Sequence, residues 1–134
     1  MAMIQTLAIR TNQHSEMINI TQELQKIVRN SGVLHGICVI VVPHTTAGIT
    51  INENADPDVV HDFIMEIDKV IPWTDGYDHA EGNSAAHIKS SMMGFSQTVI
   101  IEDGKLFLGT WQGIYFMEFD GPRTRKVQVK IIEG

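Results

Sequence analysis

The run Gly113-Ile114-Tyr115-Phe116-Met117-Glu118-Phe119 carries large apolar side chains at both parities. A β-strand turns successive side chains to opposite faces. Ile114 and Phe116 would therefore line one face, and Tyr115, Met117 and Phe119 the other. In a chain of 134 residues, one face of a sheet packs the core and the other ordinarily meets water. Two apolar faces call for a cover on each side, from a helix of the same chain or from a neighbouring subunit. The reading favoured here is the subunit. Glu118 is the exception within the run: a carboxylate on an apolar strand needs a partner, and a histidine or a cation is the obvious one.

Outward from this run, strands flank a helical middle. Residues 97–101 read as a strand, Asp103-Gly104 is a hairpin-type turn, and residues 106–110 read as the return strand. Residues 127–132 form the last strand. Toward the N-terminus, residues 33–42 are apolar almost throughout, the pattern of a strand covered on both faces. Ile49 and Ile51 alternate with Thr50 and Asn52 in a short strand, and residues 3–11 alternate through Ile4, Leu7 and Ile9.

Helical spacing appears three times. Met17, Ile20, Leu24, Ile27 and Val28 predict a helix over 17–30, with Asn19 or Thr21 at its start and Gly32 at its exit. Asp56-Pro57 opens a second helix with the stripe Val60, Phe63, Ile64, Ile67 and Ile71. A shorter third helix over 84–93 ends at Gly94. The expected fold is α+β: one domain over residues 1–134, a largely antiparallel β-sandwich with flanking helices.

Composition narrows the function. Hydrophobic residues make up 43% and charged residues 19%, as in an ordinary globular domain. Formal net charge is −6, and no basic run exceeds Arg123-Thr124-Arg125-Lys126, so duplex nucleic acid is an unsuitable partner. Cys38 is the only cysteine, which excludes an intramolecular disulfide and suggests no oxidising compartment. The longest apolar run, residues 37–43, is too short for a bilayer, and the start of the chain lacks a signal-peptide pattern. The expectation is a cytoplasmic protein without membrane partners.

Four constellations carry possible chemistry. His44-Thr45-Thr46 emerges from a buried strand; such a histidine either caps a turn or reaches a cleft from a rigid support. Asn52-Glu53-Asn54 and the set Asp56, Asp58 and Asp62 supply oxygen ligands for Mg²⁺, or simply a solvated face near a helix start. Between His79 and His87, Asn83 or Ser84 can cap the following helix, whose first N–H groups welcome an anion and to which Lys89 would add charge. No H-x-x-x-H zinc spacing or P-loop occurs. Gly109-Thr110-Trp111-Gln112-Gly113 suggests a bulge or a close backbone approach to a ligand, with Trp111 stacking on a ring or packing.

Three of these motifs, His44 to Asn54, His87-Ile88-Lys89-Ser90-Ser91 and Gly109 to Ile114, closely resemble the YjbQ-like family over essentially the whole chain. Members of that family are called secondary thiamine-phosphate synthase enzymes. The resemblance implies a YjbQ-like sandwich assembled as a homotrimer, with pockets between subunits. It also implies a weak transferase activity joining hydroxymethylpyrimidine diphosphate to a thiazole phosphate with loss of diphosphate. By the same resemblance the pocket draws on His44, Asn52, Glu53, Asp62, His79, His87, Lys89, Gln112 and Glu118.

Displacement at the pyrimidine methylene needs stabilisation of the leaving diphosphate, from Lys89, helix N–H groups and a divalent cation. The expected catalytic set is His44, Glu53, His79, His87 and Glu118. Asn52, Asn83, Ser84, Lys89, Thr110, Trp111 and Gln112 are expected to bind substrate or phosphate. His44, Asp62, His79 and His87 are the candidate ligands for Mg²⁺ or Zn²⁺. Two other functions fit the same residues: a metal-dependent hydrolase of a small polar or phosphorylated substrate, and a non-catalytic binder of a small anionic ligand.

Overall fold

A computed structural model of the chain describes residues 3–134. The elements run β1 (Gln5–Arg10), β2 (Glu16–Asn19), α1 (Thr21–Ser31), β3 (Gly36–Val41), β4 (Ala47–Glu53), α2 (Pro57–Val70), α3 (Ser84–Met93), β5 (Ser96–Glu102), β6 (Lys105–Leu106), β7 (Gln112–Glu118) and β8 (Thr124–Glu133). Strands β1-β8-β3-β5-β6 form one sheet and β2-β7-β4 a second, with every pairing antiparallel. The α+β class and antiparallel sheets match the expectation.

The doubly apolar strand is β7, at the centre of the smaller sheet. Ile114 and Phe116 enter the main core with Cys38, Ile40, Val99, Ile101, Val127 and Val129 of the larger sheet and Leu24 and Val28 of α1. Tyr115, Met117 and Phe119 point the other way, into a second core with Ile67 and Ile71 from the α2 side and Ala85 and Ala86 of α3. Both faces are thus covered by one chain. The neighbouring subunit favoured from sequence is not what buries this strand, because the two middle helices supply enough apolar surface to do it.

Local chemistry explains the helix ends. Asp56 caps α2, accepting a hydrogen bond from the Asp58 N–H at 2.9 Å with Pro57 in the first turn. Gly32 closes α1 in the left-handed region at φ 72°. One expectation fails here. Residues 16–19 are a strand, not the first turn of α1: Met17 pairs with Met117 and Ile18 with Phe116 in β7. The 106–110 strand also shrinks, since β6 holds only Lys105–Leu106 and the chain then turns to reach β7. Among the described residues no helix is long and apolar enough to cross a membrane. Cys38 lies in the main core, and burial pushes its thiol pKa up to about 11, which makes it inert at neutral pH.

Candidate functional site

Helix α3 is fastened to the edge strand β4 by three features. Ser90 Oγ donates to the Ala47 carbonyl at 2.6 Å, and the Ile49 N–H donates to the Gly94 carbonyl at 3.1 Å. Gly48 makes the approach possible: a Cβ there would stand 2.8 Å from the Gly94 oxygen and 3.0 Å from Met93 Cβ. This docking brings α3 beside the chain leaving β3. His44 and Thr45 from that segment then line a cleft of about 410 Å³ with His87, Ser90, Ser91, Gly94 and Phe95.

His87 also lines a second cleft of about 410 Å³, with Tyr77, Asp78, His79, Ser84 and Ile88. The His79 and His87 rings meet edge-on, with centroids 5.4 Å apart. His87 is therefore common to a His44 side and a His79 side. Each of the three histidines lines a cleft along α3, His44 in the first, His79 in the second and His87 in both.

His44 is held in a defined state. Its Nε2 accepts the Lys126 backbone N–H at 2.9 Å, which leaves Nδ1 to carry the ring proton. Burial, and then the Arg125 guanidinium, lower its pKa below the ordinary 6.5; the Glu118 carboxylate opposes this without reversing it. At neutral pH His44 is a neutral donor.

Glu118 does not face the clefts. It is fully buried and holds Arg125, whose Nε lies 2.9 Å from Oε1 and 3.1 Å from Oε2. It also accepts from Thr11 Oγ1 at 2.8 Å and the Asp120 N–H at 3.0 Å. Arg125 in turn donates to Thr46 Oγ1 at 2.8 Å. The partner expected for this carboxylate exists and is a cation, the Arg125 guanidinium of β8, rather than a histidine. Its work is structural: the pair anchors the segment that carries His44.

Lys89 likewise departs from expectation. Its side chain is fully buried, its ammonium bonds Asp68, and it lies 3.7 Å from the centre of the Trp73 ring. Ala85, Ala86, Lys89 and Ser90 form the buried face of α3, so Lys89 points into the protein and not toward the helix start. At that start, Asn83 makes no side-chain cap; its Nδ2 donates to Asp120 Oδ2 at 2.9 Å. Ser84 is the member of this group that reaches a cleft.

The remaining predicted residues lie elsewhere in the chain. Asn52 and Glu53 end β4, six residues from Ala47, or about 20 Å along a strand from the His44 end. There Glu53 pairs with Gln112. Gln112 Oε1 accepts the Gly109 N–H at 2.8 Å, closing a local turn that carries Thr110 and the exposed Trp111. Asp62 sits on the solvated side of α2 with His61 at 3.5 Å, and its side chain is 72% exposed. Within one chain these residues do not join the histidines. Conversely, Thr45, Tyr77, Asp78, Ser90 and Ser91 line the clefts although the sequence reading gives them no site role; Thr45, Ser90 and Ser91 fall within the quoted motifs, and Tyr77 and Asp78 are signalled only by adjacency to His79.

A divalent cation would find two imidazoles in the His79 cleft and the Asp78 carboxylate on its wall. Even so, no trio of His, Cys, Asp or Glu comes within ligand spacing there among the described residues. The cleft does not close a metal cage in a single chain.

The profile of a family described as UPF0047 protein YjbQ-like matches residues 5–134. The chain belongs to the YjbQ-like UPF0047 family. UPF0047 protein YugU of Bacillus subtilis is 56% identical over 131 residues, covering 97% of this chain and 99% of that protein. UPF0047 protein MJ1081 of Methanocaldococcus jannaschii is 59% identical over 124 residues, covering 92% and 90%. A YjbQ/UPF0047-family crystal structure from Clostridium acetobutylicum superposes with TM-score 0.94 at 59% identity, covering 96% of this chain and 99% of that one. A YbjQ-like protein of unknown function from Sulfolobus solfataricus gives 0.95 at 31% identity, covering 100% and 99%. The YjbQ-like fold thus persists at 31% identity.

Proposed function

We propose that this YjbQ-like protein binds a small phosphorylated ligand across the two clefts that share His87. In this reading it acts as a weak transferase, joining hydroxymethylpyrimidine diphosphate to a thiazole phosphate with release of diphosphate. The observation that carries the binding is the position of His87 between His44 on one side and His79 on the other. Neutral His44 offers an N–H donor, while Thr45, Ser84 and Ser91 add hydroxyls that donate or accept as a phosphate requires. The reaction type comes from the family resemblance.

Lys89 is turned toward Asp68 and Trp73, so charge on the leaving diphosphate needs another source. Mg²⁺ suits this role because it commonly arrives with substrate phosphates, keeps several waters and asks the protein for one or two carboxylates; Asp78 is the available one. A second reading, hydrolysis of a small phosphorylated substrate, is favoured by the close approach of His79 and His87 beside Asp78.

The homotrimer is part of the same proposal, now on another surface. On the outer face of the larger sheet, the register sets Ile37 between Ile100 and Ile132. Ile100 is 55% exposed and Phe107, bonded to the same strand, is 67% exposed. That apolar row is where copies would pack, in a cytoplasmic protein with no nucleic-acid partner.

The test is a thermal-shift screen with both thiamine precursors and unrelated phosphates, each with and without Mg²⁺, followed by a turnover assay. The precursors should stabilise the wild type, and His87→Ala should abolish the shift while keeping its own melting point. Full retention of the shift in that variant would sink the proposal. Stabilisation without turnover identifies a non-catalytic binder, and phosphate release without joining identifies the hydrolase.

A further inference from the structure

We propose a divalent transition-metal site at the opposite end of β3, formed by His35, Glu102 and Asp103 and independent of the histidine clefts. One ligand atom from each residue lies within 4.8 Å of the others. Ions such as Zn²⁺ bind nitrogen and oxygen ligands at about 2.0–2.2 Å, which sets the ligands about 3–4 Å apart. Small rotations of three exposed side chains cover the difference. His35 Nδ1 already lies 2.5 Å from Glu102 Oε1, so an ion takes the place of the proton shared between them and releases it.

The backbone under this trio is fixed from three directions. Gly36 pairs with Ile101, which puts His35 opposite Glu102 in neighbouring antiparallel strands. The His35 carbonyl accepts the Gly134 N–H at 3.1 Å, and the Leu34 carbonyl accepts the Gly104 N–H at 3.0 Å. The second bond ties the β5–β6 turn to the residue before His35. Gly36 cannot be replaced without moving this end of the sheet, since a Cβ there would stand 2.1 Å from the Ile132 oxygen. Asp103 takes the left-handed region at φ 52°, which Asp and Asn tolerate.

The donor set selects the ion. One imidazole and two carboxylates favour a borderline ion such as Zn²⁺ over Mg²⁺, which prefers oxygen alone. Three protein ligands leave a fourth position for water or for a ligand atom. Beside the trio, a cleft of about 420 Å³ lined by Arg29, Lys105 and Asp103 has room for an anionic group on that fourth position. Lys105 stands opposite Glu102 across the hairpin, yet Glu102 pairs with His35.

The experiment is calorimetric titration of chelator-stripped protein with Zn²⁺ and, separately, Mg²⁺. A His44→Ala/His79→Ala/His87→Ala background removes the imidazoles of the two clefts. That background should bind one Zn²⁺ per chain and no Mg²⁺ at equal concentration. Adding His35→Ala or Asp103→Asn, which preserves the turn conformation, should weaken Zn²⁺ binding at least tenfold with an unchanged circular dichroism spectrum. No Zn²⁺ binding in the background, Mg²⁺ bound as tightly as Zn²⁺, or a loss below tenfold in either added variant would overturn the site. The outcome is independent of the transferase reading, because no precursor and no turnover enters it.

Discussion

The guanidinium of Arg125 and the carboxylate of Glu118 form a bidentate ion pair in which both side chains are buried. They sit on β8 and β7, in different sheets, so the pair bridges the two layers. Through Thr46 it also holds the segment after His44. Removing one partner strands the other's charge or donors in the core, which typically costs about 3–5 kcal/mol. Glu118→Gln is therefore expected to lower the free energy of unfolding by that order in urea, and not to act as a selective catalytic lesion. Wild-type stability with lost activity would contradict this.

The same carboxylate predicts acid sensitivity. Burial pushes its pKa up, but the hydrogen bonds from Arg125, Asp120 and Thr11 outweigh burial and leave it below the ordinary 4.5. The unfolded chain then takes up the proton first as pH falls. The stabilisation is complete above the ordinary value and is lost as pH drops through the folded one. Urea midpoints should fall below about pH 4.5 in the wild type, and this part of the fall should be absent in Glu118→Gln.

His44 titrates below its ordinary value because it is partly buried and faces Arg125. The folded protein resists protonation that the unfolded chain accepts near pH 6.5, so His44 contributes stability above that pH and loses it on acidification. In ¹H–¹⁵N correlation spectra its ring should show the Nδ1–H tautomer at pH 7 and a midpoint under 6.5. A midpoint at or above 6.5 would contradict the assignment.

Lys89→Ala should destabilise the protein without weakening diphosphate binding. The variant loses a fully buried side chain, its contact with Trp73 and its bond to Asp68. Asp68 is 38% exposed and is resolvated by water, so the cost is about 2 kcal/mol and not that of a sealed pair. Calorimetry with diphosphate and a urea titration on the same variant separate the two effects.

Gly48→Ala tests the docking that forms the His44–His87 cleft. The added methyl meets a backbone oxygen at 2.8 Å, a clash of the overpacking kind worth about 1–3 kcal/mol. Because the clash lifts α3 from β4, ligand-induced stabilisation should shrink together with the melting temperature.

Local pattern carried most of the elements. Pro57 and Asp56 set the start of α2, Gly94 the end of α3, and the alternation of residues 127–132 the core of β8, because caps and side-chain periods act over a few residues. Residues 17 and 18 misled for the same reason: Met17 and Ile20 share a helical spacing with Leu24, but pairing with β7 drew residues 16–19 into a strand. No local rule could say that α2 and α3 would cover the second face of β7, since apolar surfaces are interchangeable until the chain brings two together. Nor could it say which charges would meet. Arg125 and Glu118 are seven residues apart, yet it is a turn between two sheets that joins them, and Lys89 and Asp68 meet only because α2 and α3 cover the same face of β7. His44, His79 and His87 were legible as candidates from their residue type and setting. Their gathering around α3, and the separation of Asn52, Glu53 and Gln112 to the far end of β4, came from the docking of α3 on Gly48 and the length of one strand.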